Sequence, residues 1–158
     1  MERTLKGLCI SVAVVLFIIV SPIWYVYQLF IKQGIVLRNE ALLYMLSSIY
    51  GTEGCTLEIV SKKEMVKLLD DSGVQGFFSS SKKLICIAHS FSTSDLCDTF
   101  FHERRHAQQF NNMKAEYFES SLALKSGKVT YKDSWHETDA RRAGNVMASR
   151  FLSILNRA

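Results

Sequence analysis

SDLCDTFFHERRHAQQF, residues 94–110, contains neither glycine nor proline and reads as a helix. Ser92 or Ser94 supplies the cap, and Asp95 and Asp98 sit near the positive N-terminal end. Residues four apart on a helix lie one above the other, so His102 and His106 can close on one metal ion without bending the backbone. Glu103 is the next residue round from His102, so its carboxylate lies beside that face. Two imidazoles at this spacing suit a zinc ion, and an adjacent carboxylate suits proton abstraction from a water that the ion activates. At 100° per residue, Leu96, Phe100, Ala107 and Phe110 form an apolar stripe, while Asp95, Thr99, His102, His106 and Gln109 share another arc. Arg104, Arg105 and Gln108 point elsewhere. One core face and one polar face carrying two histidines place the pair at the edge of a cleft. The competing reading is an amphipathic helix whose histidines face solvent.

Upstream of this helix the pattern predicts strand, helix, strand, strand. Residues 56–60 (TLEIV) alternate as a strand does. A helix then starts at Ser61, with Glu64 in capping-box position, and closes at Gly73. Residues 76–79 and 84–88 form a hairpin about a polar serine and lysine turn, and LICIA is its apolar strand. Further toward the N-terminus, residues 38–50 (RNEALLYMLSSIY) have helical spacing and stop at Gly51, as a connecting helix packed on the domain.

Residues 8–31 contain no charge, and at 1.5 Å per residue that run crosses a hydrocarbon core of ~30 Å. Arg3 and Lys6 precede it, Lys32 and Arg38 follow, and Trp24, Tyr25 and Tyr27 crowd its later half as an interfacial belt does. Bulky aromatics after Ser21 and Pro22 speak against a cleavable signal peptide and for a single-pass anchor. The flanking charges nearly balance, so neither orientation is favoured.

A catalytic zinc commonly takes three protein ligands, so a third must come from beyond His106. Residues 112–126 read as one helix and residues 131–157 as a last one, offering His136, Glu137 and Asp139. Ala140, Gly144, Met147 and Phe151 fall on the same side as Glu137, whereas His136 and Asp139 lie well off that arc. The small residues Ala140, Ala143 and Gly144 let the last helix lie close to the histidine helix and bring Glu137 to the metal. Against this, Ser134 and Glu137 match a capping box, which would fold the carboxylate back on the helix start.

Together these residues resemble the gluzincins, zinc metallopeptidases that join HExxH on one helix to a glutamate on a later helix. Their later motif often takes the form E-x-x-A-D or E-x-E-A-N, and here it is Glu137-Thr138-Asp139-Ala140-Arg141 with Ala143 beyond. Small bacterial and phage HExxH proteins, whose histidine pair often runs on into glutamines, are similar in carrying residues like Gln108 and Gln109. Arg141 departs from the family's Asp or Asn, which steadies a zinc histidine; Asp139 or Asp98 is a substitute. The resemblance implies an α+β fold: a minimal zincin-like domain, with a small sheet, the active-site helix and C-terminal helices, behind an N-terminal transmembrane helix. The corresponding organisation is an anchor at 1–32, a connecting helix and loop at 33–55, and the metallopeptidase domain at 56–158. It also implies peptide-bond hydrolysis, with Zn2+ on His102, His106 and Glu137 and with Glu103 as general base. Strand 84–88 would pair with an extended peptide or protein substrate. His89, Tyr117 and Tyr131 are candidates for the oxyanion partner.

With 158 residues, 48% hydrophobic and 22% charged, the chain has room for one domain plus an anchor. Its net charge of +4 is spread over basic doublets, which argues against a nucleic-acid partner. None of the four cysteines makes a CxxC pair, and Cys55, Cys86 and Cys97 leave an odd number outside the apolar segment. Two other classes of function stay open. One is a membrane-tethered binding protein whose zinc is structural or whose site is inactive, which Arg141 favours and Glu103 opposes. The other is a membrane accessory protein in which HExxH is incidental and no metal binds.

Overall fold

The computed structural model describes residues 2–90 and 92–157, with side chains described from Tyr25 onward. In chain order the elements are α1 (Glu2–Tyr50), β1 (Thr56–Val60), α2 (Lys62–Leu69), β2 (Gly76–Ser79), β3 (Leu84–Ala88), α3 (Thr93–Asn112), α4 (Lys114–Lys125) and α5 (Trp135–Leu155). The described residues thus form a mixed α+β protein with one three-stranded sheet. It divides into two compact units, Met1–Leu37 and Arg38–Ala158. In the first unit, Tyr25, Val26, Tyr27, Leu29, Phe30 and Ile31 all have exposed side chains. Most of the anchor expected at 8–31 lies outside the residues whose side chains are described. Among the described residues, no helix is long and apolar enough to cross a membrane.

The second unit is built around β3. Strand order is β1-β3-β2, with β1 parallel and β2 antiparallel to β3. All five residues of LICIA are buried because both faces are covered, the situation that turns a strand into an unbroken apolar run. Ile85 and Ile87 face a core made by Leu42, Leu46, Phe100 and Phe151, while Leu84, Cys86 and Ala88 pack with Met65 of α2. Burying each such large aliphatic or aromatic side chain contributes about 1.5–3 kcal/mol. The central place of β3 corrects one expectation. Strand 84–88 has partners on both sides and no edge to offer a peptide; β2 is the edge strand beside α3.

Residues 38–50 belong to this core: Leu42, Leu43 and Leu46 are buried in it. Asn39 is fully buried and donates to the Ser90 carbonyl at 2.9 Å, tying the turn before α3 to the end of α1. The Ser61 and Glu64 capping box forms as expected. The helix it opens ends at Asp70 in the left-handed conformation, short of Gly73, because an aspartate tolerates that backbone turn. Cys55, Cys86 and Cys97 are free thiols, and burial pushes Cys86 and Cys97 up to about 11.

Candidate metal centre

Helix α3 starts where the sequence puts it, with the Ser92 hydroxyl accepting from the Asp95 N–H at 3.1 Å. From there each residue of HERRH is sent a different way. Arg104 donates to the carbonyls of Tyr50 and Gly51 and pairs with Glu53, which locks the end of α1. Arg105 pairs with Asp139 of α5 at 2.6 Å. His102 and His106 turn toward one another, with their Nε2 atoms 3.1 Å apart.

The third member comes from α5, which packs along α3. Ala140 is fully buried, and Gly144 lies so close to α3 that a Cβ there would sit 3.0 Å from the Asp98 carbonyl oxygen. This approach carries Glu137 Oε2 to 3.4 Å from His102 Nε2 and 3.5 Å from His106 Nε2. The three groups form one cluster able to hold a metal ion. The competing capping box does not form: Ser134 caps α5 without a side-chain bond to it, and its hydroxyl goes to His136 instead.

Hydrogen bonds fix how the cluster presents itself. Gln109 is fully buried and donates its amide N–H groups to the His136 carbonyl at 2.9 Å and to Asp139 at 2.8 Å. Its Oε1 therefore faces His106 Nδ1, 3.0 Å away, and must accept from it. The proton of His106 is thereby placed on Nδ1, and the lone pair of Nε2 is directed into the cluster. Glu137 Oε2 is buried and has no hydrogen-bond partner. Its imidazole neighbours at 3.4 and 3.5 Å are charge contacts, long for hydrogen bonds. A buried carboxylate oxygen thus points, unpaired, at an imidazole lone pair, an arrangement that a bound cation would relieve.

The charges respond accordingly. Burial works to raise the Glu137 carboxyl, but the contacts from His102, His106 and Tyr131 outweigh it and hold the group well below the usual carboxylate range. Glu103 goes the other way. It is buried, its Oε1 stands 4.0 Å from His102 Nε2, and desolvation raises its pKa despite the nearby histidines. The backbone N–H of Phe78 in β2 lies near that carboxylate and works weakly in favour of its charged form. A cavity of about 430 Å³ opens between β2 and α4, lined by Phe77, Phe78, Tyr117, Phe118, His136 and Glu137.

His102, Glu103, His106 and Glu137 are therefore brought together as the motif spacing implied. His136, placed off the buried arc by helical periodicity, is in fact buried, and its Nε2 lies 3.5 Å from Glu137 Oε1. The correction is physical: α4 covers that side of α5, and Ser120 of α4 holds the ring. Of the two acids expected to steady a histidine, Asp139 reaches His106 through Gln109, whereas Asp98 keeps a buried Oδ1 with no hydrogen-bond partner. Of the oxyanion candidates, Tyr131 lies beside Glu137, and burial together with that carboxylate pushes its hydroxyl pKa up; burial likewise pushes Tyr117 up to about 12. The supporting role of Gln109 had one trace in the sequence, its position on the histidine arc. No family model, curated protein or solved structure matches the chain.

Proposed function

We propose that this chain is a membrane-anchored zinc metallopeptidase of gluzincin type, with a minimal zincin-like domain over 56–158 and an anchor at 8–31. The observation that carries the reading is the convergence of three Lewis-base atoms from two helices, 3.1, 3.4 and 3.5 Å apart, one of them a buried unpaired carboxylate oxygen. Ligand atoms about 2.0–2.2 Å from a tetrahedral zinc lie roughly 3.3–3.5 Å from each other, so the donor set fits zinc in spacing as well as in kind. A zinc ion held by His102, His106 and Glu137 supplies Lewis acidity, lowering the pKa of water and polarising a carbonyl.

The remaining work falls to the chain itself. Glu103 is beside the cluster and outside the ligand set, with its pKa raised by burial, as a general base working near neutrality requires. It takes the proton of the attacking water and hands it to the leaving amine. An extended peptide would add along the edge strand β2, and Glu137 is among the residues lining the cavity between β2 and α4. A purely structural zinc site has no use for a buried carboxylate outside its ligands.

The test is metal content and turnover of the full-length chain in detergent. The native protein should hold about one zinc and cleave members of a broad peptide library. Glu103→Ala should hold the same zinc and lose about 10²–10⁴-fold in cleavage rate. Zinc binding with equal, negligible cleavage by both forms would favour the structural-site alternative; absence of zinc would end both readings.

A further inference from the structure

Arg141 occupies the position at which the resembling family places an acid that steadies a zinc histidine. In this chain the support is arranged around the carboxylate. The Arg141 guanidinium stacks over the Tyr131 ring, 5.3 Å from its centroid, and the Tyr131 hydroxyl lies near enough to the Glu137 carboxylate to favour its charged form. On the other side, His136 Nδ1 sits 2.7 Å from both the Ser120 and the Ser134 hydroxyl, which are themselves 3.2 Å apart. If Nδ1 carried a proton, one of the two buried hydroxyl protons would have no acceptor in this group. With Nδ1 accepting, one serine donates to the ring and the other to its neighbour, and every proton is used. That leaves the ring proton on Nε2, which faces Glu137 Oε1 at 3.5 Å while Oε2 points at the histidine pair.

We propose that Tyr131 and His136 are positioning residues that hold the Glu137 carboxylate from behind so that one oxygen faces the metal, with Arg141 acting through Tyr131. The role rests on His102, His106 and Glu137 being a metal centre. It also gives Arg141 a function that an acid in its place would not have: a cation stacks on the electron-rich face of a tyrosine, and a carboxylate does not.

Cobalt(II) titration of the full-length chain tests this, because cobalt reports both affinity and ligand geometry in its visible spectrum. Tyr131→Phe keeps the ring beneath Arg141 and removes only the hydroxyl. His136→Leu removes the Nε2–H that faces Glu137 Oε1, and His136→Gln returns an amide N–H to nearly the same place. Tyr131→Phe and His136→Leu should each weaken cobalt binding by about tenfold and alter the visible bands, and His136→Gln should recover most of the loss. Melting curves of the metal-free forms establish that each variant folds. Tyr131 is half exposed, so Tyr131→Phe folds even if His136→Leu does not, and its affinity then decides. Native affinity and a native spectrum in Tyr131→Phe overturn the positioning role and leave the centre standing. A native chain that takes up no cobalt overturns both.

Discussion

The two halves of the cluster are made in different ways. On α3, His102 and His106 lie one turn apart, and helix geometry alone brings their Nε2 atoms to 3.1 Å. On α5, Glu137 reaches the same point because Ala140 and Gly144 let two helices close up, while Ser120 of α4 and Ser134 before α5 hold the neighbouring His136. The first half is a local property of five residues. The second depends on packing between elements far apart in sequence, and it should be the half more easily disturbed from a distance.

The most direct way to break this picture is to remove one ligand from each half. His102→Ala and Glu137→Ala should each abolish the zinc retained through dialysis; if Glu137→Ala keeps its metal, the far half contributes nothing to the centre. A smaller effect is expected where the halves meet. Gln109→Met leaves all three ligands in place but frees His106 Nδ1, and metal affinity measured by competition should fall by about 10–100-fold.

Helix closeness can be probed without touching a polar group. A Cβ at Gly144 would come to 2.7 Å from Asp98 Oδ1 and 3.0 Å from the Asp98 carbonyl oxygen. Overpacking of this kind costs about 1–3 kcal/mol, and the better helix propensity of alanine offsets about 1 kcal/mol of it. Gly144→Ala should therefore lose about 1 kcal/mol in denaturant unfolding, and because it moves α5, metal affinity should fall with it. Unchanged affinity would mean that the close approach serves packing alone.

The smallest effect concerns pH. Burial works to raise the Asp139 carboxyl, but the Arg105 guanidinium and the Gln109 amide outweigh it and hold the group below its usual value. Its stabilising contribution is present above the unfolded value of ~3.9 and is lost as pH falls through the lower folded value. The pair is partly exposed and screened by solvent, so it contributes less than about 1 kcal/mol. Asp139→Asn should lower the melting temperature of metal-free protein slightly at neutral pH and converge on the native value in acid, so that the acid limb of stability flattens.

How far each feature could be read in advance follows the same division. Strands 56–60, 76–79 and 84–88, the Ser61 capping box and the start of α3 all follow from short-range chemistry. The strand order does not. LICIA is equally compatible with an edge or a central place until the covering of its second face by α2 is known. Periodicity likewise put His136 outside the buried arc, because a helical wheel carries no information about a third helix lying over it.

The chain on its own determined that two imidazoles and a neighbouring carboxylate would share one turn of helix, since an i, i+4 spacing needs nothing beyond backbone geometry. Tertiary structure alone decided that Glu137 turns inward and forms no capping box with Ser134, that β3 lies in the middle of the sheet, and that Gln109 sets the proton on His106. Those outcomes depend on which surfaces come within a few ångströms of one another. Only a packed core sets such distances between parts of the chain that are remote in sequence.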